Sequence, residues 1–226
     1  MEFGGGDSDL CVKEWKGLFA ENNMATQSLA EEQHILTDDL PLRRFTVEEY
    51  YALGEAGVLG ENDHVELLDG VLVMMSPINP PHAYVVGKLG ELLTKRVPSG
   101  VVVRLQQPIT LSTSAPQPDV VIALGAASRY RERHPGPDDI LLIIEVSDTT
   151  LRMDRRKAKV YAAAGIPEYW IIDVVKCQVE VRKLPPTTRG KKIAEYDPEE
   201  IFKPRDEITF KIKNRTIRLP VSELLP

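Results

Sequence analysis

The residues predict an α/β (α+β) domain in which a mixed central β-sheet is flanked by a few helices. Three observations carry this. Short runs rich in Val and Ile recur along the chain, among them "VVVRLQ", "PDVVIAL", "DILLIIEVS" and "EYWIIDVV", each of a length suited to a buried strand. Helical periodicity is confined to a few segments, notably 82–93, so helices can only cover the sheet. Finally, 226 residues with 42% hydrophobic and 27% charged side chains have the balance of a globular domain large enough to bury a core.

Residues 1–40 read as an N-terminal extension, flexible or partly of cloning origin, and 41–226 as a single domain. The opening "MEFGGGDSDL" and the polar stretch to "LPLRR" show no sustained periodicity, and Met24 is a candidate for the original start. Order is expected from Phe45. Thr46 followed by Glu49 fits a capping box opening a helix, with Gly54 near its end. "HVELLDGVLVMMS" reads as two strands joined at Asp69-Gly70, a strong two-residue hairpin signal. "PPHAYVVGKLGELLTKRV" is an amphipathic helix starting after Pro81, with Val85, Val86, Leu89, Leu92 and Leu93 on its apolar stripe. Strands follow in "VVVRLQ", "PITLS", "PDVVIAL" and "DILLIIEVS". A helix over 155–164 comes next, with Asp154 as N-cap and Gly165 just past its end. "EYWIIDVV" and "CQVEVRKL" form a hairpin, and "KKIAEY", "EITFKIK" and "RTIRLPV" are further short strands.

Composition narrows the function. A net charge of −6 and a pI near 5.4 provide no global basic field for nucleic acid, so any such contact is local or assisted by metal ions. Two cysteines are too few for a disulfide framework or a thiolate metal site. No apolar run approaches the ~20 residues of a membrane span, and no signal-peptide pattern is present at the N-terminus. The expected location is therefore the cytoplasm, with no membrane partner.

Three charged residues stand where a core is expected. Glu145 ends the apolar run Ile140–Ile144, Asp119 begins "PDVVIAL", and Lys157 lies in the apolar stripe of the helix that follows. A buried unpaired charge is costly, so each needs a partner. Two carboxylates at the ends of neighbouring strands can converge on a hard divalent ion such as Mg2+; the alternative is two strand ends facing solvent. Lys157 either reaches an anion, of which Glu145 is the nearest expected, or snorkels to water. His82, after "NPP", reads as a helix N-terminal residue near the site or as a base or ligand. Tyr169 and Trp170 read as core, and Asp173 as turn chemistry. The basic runs "RRKAK" and "RYRERH" are solvated faces or phosphate contacts. An apolar stripe relieved of an ammonium should fold at least as well, so Lys157→Met is expected to be tolerated.

"PQPDVVIAL" followed by "LLIIEVSDTTLRMDRRKAKVYAAAGIPEYWIIDV" resembles the Uma2 family, within the PD-(D/E)XK nuclease-like superfamily, and the resemblance spans roughly residues 42–226. It implies a restriction-endonuclease-like core and a metal-dependent endonuclease that hydrolyses DNA. Asp119 and Glu145 would then be the two acids holding Mg2+ (or Mn2+). Glu66 matches an additional acid that would also ligate metal, and Lys157 would be the catalytic lysine. The superfamily lysine position two residues after Glu145 is Ser147 here, so the lysine has moved to the following helix. Gln107, Tyr161 and His82 would serve substrate binding. A homodimer is expected because cutting two strands favours paired sites. The competing reading is a non-catalytic nucleic-acid- or protein-binding module on the same fold.

Overall fold

The computed structural model describes residues 42–60, 62–185 and 195–226, and Phe45–Pro226 form one compact unit. The expected extension over 1–40, and most of the strand expected at "KKIAEY", lie outside the described residues. The elements run α1 (Val47–Glu55), β1 (Val65–Leu68), β2 (Val71–Met74), α2 (Pro80–Thr94), β3 (Val101–Leu105), β4 (Val120–Leu124), β5 (Ile140–Ser147), α3 (Leu151–Ala163), β6 (Glu168–Asp173), β7 (Gln178–Lys183), β8 (Glu200–Phe202), β9 (Glu207–Ile212), β10 (Arg215–Pro220) and α4 (Val221–Leu224).

Strands β3 to β8 form a six-stranded sheet in sequence order, while β1–β2 and β9–β10 are separate hairpins. Every neighbouring pair in the large sheet is antiparallel except β5 and β6, which run parallel. A parallel pair cannot be joined by a tight turn, so α3 supplies the crossover. The mixed α/β architecture is thus as expected, with the two hairpins standing outside the main sheet.

Register decides what the two faces carry. Val121 pairs with Ile143 and Val120 with Ile144, and side chains two apart share a face. Val121, Ala123, Ile143, Ala158, Tyr161 and Tyr169 pack into one core cluster, so α3 covers this face. The opposite face carries Leu105, which pairs with Val120, and here α2 lies close. A Cβ added at Gly90 of α2 would stand 2.6 Å from Leu105 Cδ1, so glycine sets that approach.

The β1–β2 hairpin turns at Asp69 (φ 48°) and Gly70 (φ 75°), the left-handed pair of a type I′ turn that matches strand twist. It is anchored on the segment before β4. Ala115 N–H donates to Leu67 O at 2.8 Å, Gly70 N–H to Thr113 O at 2.9 Å, and Asp69 N–H to Ser114 Oγ at 2.8 Å. Gly70→Ala should therefore cost about 1–2 kcal/mol, read as a lower urea midpoint. An unchanged midpoint would show that the turn tolerates a Cβ.

Three local expectations change. "PITLS" is not a strand: Ile109 and Leu111 are buried, but they bond only locally, to Pro116 O and Ser114 O. Pro108 and Pro116 deny a ladder its N–H donors. Helix α2 starts at Pro80, with Asn79 as its cap accepting from His82 N–H. Helix α3 starts four residues earlier than 155, with Thr150 at its N-cap position, and places Asp154 inside its first turn. Asp173 serves the turn as expected, its Oδ1 accepting from Lys176 N–H at 2.9 Å.

Candidate active site

The antiparallel register of β4 and β5, extended one step beyond Val120↔Ile144, sets Asp119 opposite Glu145. Two hydrogen bonds lock that step. Asp119 N–H donates to Glu145 Oε2 at 3.1 Å, and Val146 N–H donates to Asp119 Oδ2 at 2.8 Å. The acids thus meet through backbone pairing, despite 25 intervening residues.

Lys157 comes from α3 on the same face. Its Nζ lies 3.1 Å from Glu145 Oε1 and 2.8 Å from Glu66 Oε1, and Tyr161, one turn on, donates its hydroxyl to Glu145 Oε1 at 3.0 Å. Glu66 arrives from β1, its Oε2 accepting from Gln117 N–H at 3.1 Å. Glu66, Glu145 and Lys157 are 4%, 3% and 7% exposed, so the ammonium sits in a buried carboxylate clamp. Burial would push Lys157 down, yet Glu145 and Glu66 hold it above the ordinary lysine value. Burial raises Glu145 well above the usual carboxylate range, opposed chiefly by Lys157.

The other walls are polar as well. His82 Nε2 is 3.0 Å from Asp119 Oδ2. Burial lowers the imidazole's pKa, but its bond to Asp119 and that residue's charge bring it above the ordinary value. Asn79 donates to Asp148 across the mouth. Asp154 is buried and accepts from Thr150 Oγ1 at 2.6 Å, and burial lifts its carboxyl to about 6. These groups enclose a cavity of about 170 Å3, with Met74, Met75 and Ile78 on its apolar side.

The cavity can be tested for a hard cation. Five carboxylates, those of Glu66, Asp119, Glu145, Asp148 and Asp154, line the cavity with one ammonium and one imidazole, a preponderance of acids that a divalent ion would offset. Among the described residues no three His, Cys, Asp or Glu side chains form a ready-made cage. Mg2+ does not need one, since it is commonly held by one or two carboxylates with waters and substrate phosphate. The all-oxygen donors of Asp119 and Glu145 fit that chemistry.

A family model described as "Uma2: Putative restriction endonuclease" matches residues 47–218. The chain belongs to the Uma2 family. Among solved structures, "a putative nuclease belonging to DUF820 from Anabaena variabilis ATCC 29413" is similar in fold, with a TM-score of 0.59 and 14% identity over 80% of this chain and 97% of that one. No curated protein matches the chain.

In this Uma2 chain the structure gathers Glu66, Asp119, Glu145, Lys157, Tyr161 and His82 into one constellation. It does not bring Gln107 there: that side chain is exposed, and its neighbour Gln106, with φ at 49°, lines the cavity together with Gln117. Alternation from Val102 and Arg104, which pair with Ala123 and Val121, sets Gln106 on the site's face of the sheet and Gln107 away from it. Tyr161 is fully buried behind Glu145 and orients that carboxylate. Two acids of the cavity escaped the sequence reading, Asp148 and Asp154. A signal for Asp154 existed: it precedes Lys157 by three residues, which puts both on one helical face.

Proposed function

We propose that this protein is a metal-dependent endonuclease that hydrolyses DNA phosphodiester bonds. The observation that supports this most strongly is the meeting of Asp119, Glu145 and Lys157 in a polar cavity, each delivered by a different element. Asp119 and Glu145 are the residues that would hold Mg2+ or Mn2+, with Glu66 steadying Lys157 from the other side. When bound, such an ion supplies Lewis-acid polarisation of a phosphoryl oxygen and a water of lowered pKa. Lys157, held charged by its two glutamates, offers its third donor to a phosphate oxygen or to the attacking water and offsets transition-state charge. Tyr161 fixes Glu145 in its rotamer. Asp119 is oriented by Val146 N–H and by His82, whose Nε2 lies 3.0 Å from its Oδ2. A homodimer acting on two strands fits this chemistry.

A second reading rests on one observation: Lys157 already bridges Glu145 and Glu66, so the constellation can persist as a scaffold in a non-catalytic binding module. Calorimetry separates the two. Titration with Mn2+ should give binding to the wild type and at least about tenfold weaker binding to Asp119→Ala. Absence of binding by both proteins, with no plasmid cleavage in Mg2+ or Mn2+, would establish the scaffold reading.

A further inference from the structure

A second cleft, larger and more open at about 660 Å3, is bordered by Tyr51, Thr110, Tyr130, His134 and the cations Arg131 and Arg133, with Glu132 the one acid on its rim among the described residues. That is within the ~300–1,000 Å3 range of clefts that take a small organic ligand. It holds the run "RYRERH", which the catalytic constellation does not use. In a chain of net charge −6 this cleft is the local exception. Asp139, buried, receives both Arg129 Nη2 at 2.8 Å and Arg133 Nη1 at 2.6 Å, so one carboxylate fixes two guanidiniums and leaves a positive surplus. Arg104 lies 5.2 Å from the centre of the Tyr130 ring and Arg133 5.4 Å from it. The Nε of Arg104 is buried with no hydrogen-bond partner among the described residues. Arg131 is exposed, and among the described residues no acid pairs with it.

Aromatic faces accompany these cations. Tyr51 and His134 stack with centroids 6.1 Å apart at 29°, and the Tyr51 hydroxyl shares a 3.0 Å hydrogen bond with Thr110 Oγ1. Burial and Arg104 push His134 below the ordinary histidine value, which favours the neutral ring suited to stacking. The chain also ties this cleft to the catalytic cavity. Gln106 and Gln117 line the cavity, while Thr110, in the excursion between them, lines the cleft.

We propose that this cleft binds an unpaired nucleotide of the substrate strand, its base against the Tyr51–His134 face and its phosphate on Arg131 and Arg133. The ligand class rests on the nuclease reading; the site rests on its own geometry. A carboxylate-rich catalytic cavity repels a polyanion, so attraction has to come from elsewhere. Cations beside aromatic faces are the recurring solution for single strands, because every base has a π-face, and here the half-buried rings of Tyr51 and His134 supply it. A duplex keeps its bases stacked and cannot use Tyr51 and His134 in this way.

The test is fluorescence anisotropy with a labelled oligothymidylate and a duplex of equal length, in EDTA so that nothing is cut. Wild type should bind the single strand more tightly than the duplex. Arg131→Ala should weaken single-strand binding and reduce the slope of log K against log salt by about 0.7. Tyr51→Leu, which keeps apolar bulk in α1, should weaken it at least about fivefold with the salt slope unchanged. Asp119→Asn, which removes one repelling carboxylate, should bind the strand at least as tightly as the wild type, so a failure of the metal reading leaves this result readable. Unchanged binding by both cleft variants, equal affinity for duplex with no effect of Tyr51→Leu, or no binding by the wild type would each overturn the proposal.

Discussion

Lys157→Met is expected to destabilise the protein by about 3–5 kcal/mol near pH 8, the cost of stripping a buried ion cluster of its cation. This reverses the expectation from helical periodicity, in which an ammonium in an apolar stripe is a liability. Nζ lies 2.8 Å from Glu66 and 3.1 Å from Glu145, so methionine leaves two buried carboxylates facing each other, with Asp154 on the same helix face. The pH dependence follows from the direction of the shifts. Burial already raises Glu145 above its unfolded value and carries Asp154 to about 6. Removal of the cation raises such acids further. An acid whose folded pKa exceeds its unfolded one favours folding most below the unfolded value and loses that contribution as pH rises through the folded one. The deficit of Lys157→Met should therefore shrink as pH falls from 8 to 5. Urea denaturation at both values checks this; a deficit that is absent at pH 8, or that grows on acidification, would show that the clamp does not hold the site.

Glu145→Gln separates chemistry from architecture. The amide keeps the volume of the side chain and an oxygen for Asp119 N–H, while Lys157 retains Glu66. The fold should persist with a modestly lower melting temperature, because the amide NH2 then faces the Lys157 and Tyr161 donors that Oε1 accepted. Phosphodiester cleavage supported by Mg2+ or Mn2+ should fall at least about a hundredfold. Undiminished cleavage by the variant would remove Glu145 from the reaction, and a collapse in melting temperature would make it a structural residue first.

The asymmetry between these variants explains why the site was only partly legible in one dimension. Glu145 at the end of "ILLIIEV" and Asp119 before "VVIAL" announce themselves, because a carboxylate bordering a buried strand has to be compensated. Lys157 was visible for the same reason from its helical phase. Glu66 carries no such signal within its four-residue strand, and only the resemblance to the Uma2 family pointed to it. Only the resemblance to the Uma2 family points to Gln107, whereas alternation from Arg104, which pairs with Val121, sets Gln106 on the site's face of the sheet. The polar residues of α3 point to Asp154 as its cap, but the helix starts one turn earlier, at Leu151.

Period-two and period-3.6 patterns, Asp69-Gly70 and the misplaced charges thus settle the α/β class, most of the elements and three of the site's principal residues, since burial preference and turn chemistry are local properties. Which acid shares Lys157, which oxygen His82 approaches and which glutamine lines the cavity were decided by tertiary structure alone. Those depend on the β4–β5 register and on where β1 docks against residues 111–117, and pairing over such distances is set by the sum of the core contacts, which no single segment encodes.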